Sequence, residues 1–178
     1  MMRSKSPSSC AAEAVHAPVE GLAPDIDPVR FAKRHDMLEG RTPASMMPRL
    51  CASGLLDDGA LVEWCVQGEV GRDELDRVRQ FLVLSLRFSP VLSCGRCLGP
   101  VSGGRIESCR RFRLAATERQ ADLEDPEAGG DVDVIATVAK LPLAELIEDE
   151  AILALPMAVR HDVCPDPSNL NRMVSSGA

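Results

Sequence analysis

A chain of 178 residues with 45% hydrophobic side chains is long enough to bury a core of its own. Its formal net charge of −7 excludes a uniformly basic nucleic-acid binder, and no run approaches the ~20 apolar residues of a membrane span or the apolar stretch of a secretory signal. Seven cysteines, an odd number without an export signal, point to reduced thiols in the cytoplasm rather than a disulfide framework.

Residues 1–24 mix Ser, Ala and Pro without periodicity and are expected to form a disordered tail. Asp27 followed by Pro28 supplies a cap and a first-turn proline, which predicts a short basic helix from Pro28 to about Leu38, with Gly40 to end it. A proline-interrupted stretch follows. Ala60 to Val70 then alternates, with Val62, Trp64, Val66 and Val70 on one side and Glu63, Gln67 and Glu69 on the other, as a half-buried strand does. The alternation resumes from Arg77 to Phe88 and again from Arg105 to Leu114. If these two segments pair as an antiparallel hairpin, their connection holds Cys94 and Cys97 at its tip. The acidic stretch Glu118 to Asp131 reads as a surface loop, and Val132 to Val138 as a fourth strand. Leu141 to Leu155 carries Leu143, Leu146, Ile147, Ala151 and Ala154 along one stripe and predicts a helix stopped by Pro156. The expected fold is α+β: a curved antiparallel sheet of about four or more strands, flanked by an N-terminal and a C-terminal helix. A single domain over 25–166 and a flexible tail over 167–178 complete it.

The charge is not spread evenly along the chain. Seven acids and one base lie between Glu118 and Asp133, whereas nine arginines face four acids between Arg72 and Arg113. On the strand reading, Arg77, Arg79, Phe81 and Arg87 share a face, and so do Arg105, Arg111 and Arg113. Such a stripe could contact phosphates, with Phe81 available to stack on an unpaired base. The plain alternative is a solvated face, or one covered by the acidic C-terminal helix.

Two ligand pairs at a gap of two stand far apart in sequence: Cys94 with Cys97, and His161 with Cys164. Together they offer the four donors of a closed tetrahedral zinc site, provided that the fold brings the end of the last helix to the hairpin tip. Otherwise they are a metal-free structural remnant. A redox reading of Cys94–Cys97 wants the first cysteine at a helix N-terminus, and Leu98-Gly-Pro-Val-Ser-Gly-Gly104 does not continue as a helix.

Asp27-Pro-Val-Arg-Phe-Ala-Lys33, Cys94-Gly-Arg-Cys-Leu-Gly-Pro-Val101, and Glu148-Asp-Glu-Ala-Ile-Leu-Ala-Leu-Pro-Met157 followed by His161 and Cys164 resemble the YceD family, the large ribosomal RNA subunit accumulation proteins of bacteria and plastids. The resemblance implies a ribosome biogenesis factor that supports synthesis, processing or stability of large-subunit (23S) ribosomal RNA. It supplies no catalytic residue. The expectation is a cytoplasmic, non-enzymatic protein whose partner is that RNA or its precursor particle, with zinc as the one candidate cofactor and neither membrane nor small-molecule substrate involved. The alternatives are a zinc- or thiol-stabilised adaptor for a ribosomal protein and a small thiol-dependent enzyme.

Overall fold

The computed structural model describes residues 19–55, 57, 59–73, 75–125 and 132–165. The expected C-terminal tail, 167–178, lies outside them, as does most of the expected N-terminal one. In chain order the elements are β1 (Val19–Glu20), β2 (Asp25–Ile26), α1 (Pro28–Arg34), β3 (Met37–Pro43), a 3-10 turn at Ala44–Met46, α2 (Pro48–Ala52), β4 (Leu61–Arg72), β5 (Val78–Phe88), β6 (Val91–Ser93), β7 (Pro100–Ser102), β8 (Ile106–Ala115), α3 (Glu118–Glu124), β9 (Val132–Ala136), β10 (Leu141–Pro142) and α4 (Leu143–Ala154).

The main sheet has six strands in the order β1-β3-β4-β5-β8-β9. Its centre, β3 to β8, is antiparallel, but both edges are parallel: β1 runs with β3 and β9 with β8. The expected purely antiparallel sheet with one helix at each end is therefore wrong. The sheet is mixed, and among the described residues it is accompanied by four α-helices. The reason is local. A parallel neighbour needs a crossover, usually a helix, between the two strands. The acidic stretch read as a loop supplies one: Thr117 accepts a hydrogen bond from the Gln120 amide at 3.2 Å and caps α3, which lies between β8 and β9.

α1 starts as the sequence predicts, with Asp27 accepting from the Arg30 amide at 2.9 Å. It stops earlier than expected, at His35 in the left-handed conformation (φ 54°), and the chain enters β3. Gly40 does not end a helix. It sits inside β3, where a Cβ would collide with the Val19 carbonyl oxygen and the Trp64 ring.

Strand alternation sends Val62, Trp64 and Val66 of β4, Leu82, Leu84 and Leu86 of β5, and Phe112 and Leu114 of β8 into one core. Helices cover that face. Gly68 of β4 lets the α1 backbone come close, since a Cβ there would stand 2.5 Å from the Phe31 carbonyl oxygen. Leu143, Ile147 and Ala151 of α4 are fully buried, at the i, i+4, i+8 spacing of one helical stripe.

α4 is docked by its acids as well as its apolar stripe. Glu148 accepts from the Arg49 and Leu50 amides (2.7 and 3.1 Å) and from the Arg49 guanidinium (3.1 Å). It thereby caps α2, whose own N-cap residue Met47 offers no side-chain acceptor. Asp149 also meets Arg49, and Glu150, only 3% exposed, accepts from the Ser108 hydroxyl. The acidic run Glu148-Asp149-Glu150 thus fastens α4 to α2 and β8.

Candidate metal centre and arginine face

β6 and β7 pair as a small hairpin beyond the end of the β5–β8 pair, with Ser93 opposite Pro100. The turn between them holds both cysteines. The Cys94 amide donates to the Gly99 carbonyl (2.8 Å) and the Leu98 amide to the Cys94 carbonyl (2.9 Å), with Leu98 at φ 59° reversing the chain. After α4 the chain returns to this tip: the Gly95 amide donates to the Val159 carbonyl at 2.9 Å, which places His161 and Cys164 against the turn.

The sequence-predicted ligands meet. One donor atom from each of Cys94, Cys97, His161 and Cys164 lies within 4.8 Å of the other three, close enough to hold a metal ion. The Cys94 and Cys164 sulfurs are 3.9 Å apart, and the Cys97 sulfur is 3.4 Å from His161 Nδ1. A zinc tetrahedron with bonds of ~2.3 Å to sulfur and ~2.0–2.1 Å to nitrogen has edges of about 3.8 Å and about 3.5 Å, so the spacing fits. The histidine is also oriented for the task. His161 Nε2 faces the Pro100 carbonyl oxygen at 2.9 Å. A carbonyl only accepts, so Nε2 carries the proton and Nδ1 turns its lone pair to the sulfurs.

The cluster already favours one thiolate. Amides of Cys97, Arg96 and His161 point at the Cys94 sulfur and bring its thiol down to about 5 against the opposing effect of burial. Cys164 moves upward, first through burial and then through its hydrogen bonds to Cys97 and Cys94. Cys94 is not at a helix N-terminus, since the turn leads into β7. Cys51, Cys65 and Cys109 lie outside the cluster.

The arginines do gather on the sheet face opposite the core, but the acids come with them. Arg77 and Arg79 both bond the buried Asp73 carboxylate, at 2.7 and 3.1 Å. Burial alone would raise the Asp73 carboxyl; the Arg77 amide and side chain, the Arg79 side chain and the Leu75 amide outweigh it and hold it well below the ordinary range. Glu124 of α3 meets Arg79 at 3.0 Å, while Arg113, only 1% exposed, donates to the Glu124 carbonyl at 2.9 Å. Arg111 lies flat on Phe81, 3.6 Å from the ring centre, and approaches Glu69 at 3.5 Å. Phe81 is 2% exposed and so closed to an incoming base. Arg87 and Arg105 are the most open of the six arginines, and they share one carboxylate oxygen of Glu107 at 3.0 and 2.8 Å. The hydrogen bond from Arg105, then the charge of Arg87, hold Glu107 below its usual range.

Comparison with known proteins decides the lineage. The family model for the large ribosomal RNA subunit accumulation protein YceD matches residues 82–173, just over half of the chain. The chain belongs to the YceD family. The matched span includes all four ligands of the cluster, together with Arg87, Arg105, Arg111 and Arg113, and omits Arg77, Arg79 and Phe81. No curated protein matches the chain. No solved structure matches it either. Sequence reading missed the Pro100 carbonyl behind His161 and the carboxylates that neutralise the arginines. Backbone acceptors leave no mark in sequence, and Asp73, Glu107 and Glu124 carry no spacing signal that ties them to a particular base.

Proposed function

We propose that this YceD protein supports the accumulation of large-subunit ribosomal RNA by binding the RNA or its precursor particle in the cytoplasm, without catalysing a reaction on it. The observation that carries the reading is the family match, whose span encloses both halves of the four-ligand cluster. Zinc is the metal that the donor set suits: Cys94, Cys97 and Cys164 would supply thiolates and His161 Nδ1 the fourth bond. Bound there, the ion would be structural, clamping the segment after α4 to the β6–β7 tip. A binding role is further supported by the carboxylates best placed for acid–base work. Glu148 and Glu150 are occupied in docking α4. Among the described residues no helix is long and apolar enough to cross a membrane.

Crosslinking in cells followed by RNA sequencing tests the reading: reads should concentrate on large-subunit RNA and its precursors. A crosslinked fraction without them, paired with nuclease-resistant retention of one ribosomal protein, would replace the RNA reading with that of a protein adaptor. Elemental analysis of protein purified without chelators should find one zinc per chain, and metal-free, fully folded protein would dismiss the ion.

A further inference from the structure

Five of the seven residues on the arginine face are committed internally, which leaves one end of it to consider. We propose that the open cleft at the root of the β6–β7 hairpin, walled by Arg87 and Arg105, grips the phosphodiester backbone of single-stranded RNA. This deepens the RNA reading and rests on it.

The cleft has a volume of about 230 Å³ and is lined by Leu61, Glu63, Arg87, Phe88, Ser89 and Arg105. That is below the ~300–1,000 Å³ of pockets that enclose a small molecule, but ample for a phosphate with the chain running on across the surface. Each arginine spends its Nε on the same Glu107 oxygen, so the terminal nitrogens of both guanidinium groups have no partner among the described residues. Glu63 is itself engaged by Arg41 at 3.4 Å. What sets the cleft apart is exposure: the Arg87 and Arg105 side chains are both more than half open to solvent, as is the Glu107 carboxylate they share. At the other end of the face, Asp73 and Glu124 answer Arg77, Arg79 and Arg113 from buried or nearly buried positions. The chemistry also favours phosphate. Planar guanidinium forks match its oxygens two at a time, and Glu107, by holding one edge of each fork, fixes the other edge outward. Phe88, 3% exposed, forms the floor rather than a stacking surface, while Ser89 and the half-exposed Leu61 stand at the rim.

The test uses a fluorescein-labelled oligouridylate, the full-length protein and fluorescence anisotropy over a range of KCl. Arg87→Gln/Arg105→Gln should weaken binding on the order of tenfold and make the dependence of log K on log salt shallower by roughly 0.7–1.4, the share of one to two phosphate contacts on a single strand. Glu107→Gln should tighten binding, because it frees both forks; a merely structural role for Glu107 would leave affinity unchanged or lower it. The charge-matched Arg34→Gln/Arg72→Gln variant, altered at exposed arginines elsewhere, should stay close to wild type. Equal losses in both double variants, or a Glu107→Gln variant no tighter than wild type, would overturn the cleft. Displacement of the RNA by inorganic phosphate at matched ionic strength would reassign it to a free anion. Failure of the wild-type protein to bind the oligouridylate at all would sink the RNA reading itself.

Discussion

Removing the Glu148 carboxylate should destabilise the protein by about 3 kcal/mol. In Glu148→Ala the α2 N-terminus loses its acceptor from another element. Loss of an N-cap costs typically ~1 kcal/mol, and a buried amide left without a partner adds ~1–3 kcal/mol. The two amides concerned belong to Arg49 and Leu50, and Leu50 is fully buried. The Arg49 guanidinium is half exposed and adds little. For a chain of this length the loss corresponds to a fall in Tm of roughly 6–12 °C. The reporter is built in: Trp64 is the one tryptophan, 3% exposed, with its indole N–H donating to the Thr42 hydroxyl at 3.0 Å. Urea unfolding followed by its fluorescence should show the midpoint moving down at constant slope. Glu148→Gln keeps an amide oxygen for the two N–H groups and should lose about half as much. A Glu148→Ala variant within ~0.5 kcal/mol of wild type, the range of ordinary surface substitutions, would refute the capping role.

Other perturbations probe the cluster, the buried ion pair and the seat of α1. Chelation and Cys164→Ser should each speed tryptic cleavage after Arg160, which is exposed beside His161, and the two should not add; cleavage indifferent to chelator would dissociate the segment from any metal. Asp73 has a folded-state pKa below its ordinary 3.8, so its stabilising effect is present above that pH and fades as pH falls through and below it. Asp73→Asn should therefore lower stability at pH 7 and converge with wild type in acid. A gap of constant size across that range would contradict the assignment. Gly68→Ala should cost at least the ~1–3 kcal/mol of ordinary overpacking, since the obstacle is the α1 backbone at Phe31 and Ala32, and a neutral substitution would mean that α1 is not seated there.

What sequence made legible follows the strength of each periodic signal. β4, β5 and β8 run 12, 11 and 10 residues, and their alternation placed Val62, Trp64, Leu84 and Phe112 in the core. The stripe of α4 was equally clear at Leu143, Ile147 and Ala151, and the two ligand pairs met as their spacing suggested. β3 was missed because Met37-Leu-Glu-Gly-Arg-Thr-Pro43 contains a glycine and a proline that imitate a helix stop and a loop. There the glycine serves close packing against Trp64. α3 was missed because one buried residue, Ala121, is too little for an amphipathic pattern. With α3 went the crossover, and with the crossover the parallel pairing of β9. Residues 126–131, within the same acidic stretch, lie outside the described structure.

Linear segregation of charge did not become spatial segregation, and this reverses the simplest electrostatic reading of the chain. The acidic segment folds back onto the arginines: Glu124 reaches Arg79 and Arg113, and Asp133 lies 3.5 Å from Arg110. A polyanion would have to displace carboxylates that are already held in place at short range and partly out of water, where their attraction is stronger than at the surface. Counting arginines on the face therefore overstates its capacity for phosphate. Capacity exists where the guanidinium groups and their carboxylate stay open to solvent, as at Arg87 and Arg105, and there the acid sets the response. Neutralising the buried Asp73 or the nearly buried Glu124 removes a carboxylate that two arginines share and should cost stability, whereas neutralising Glu107, itself half exposed, releases two outward forks and should raise affinity at little structural cost.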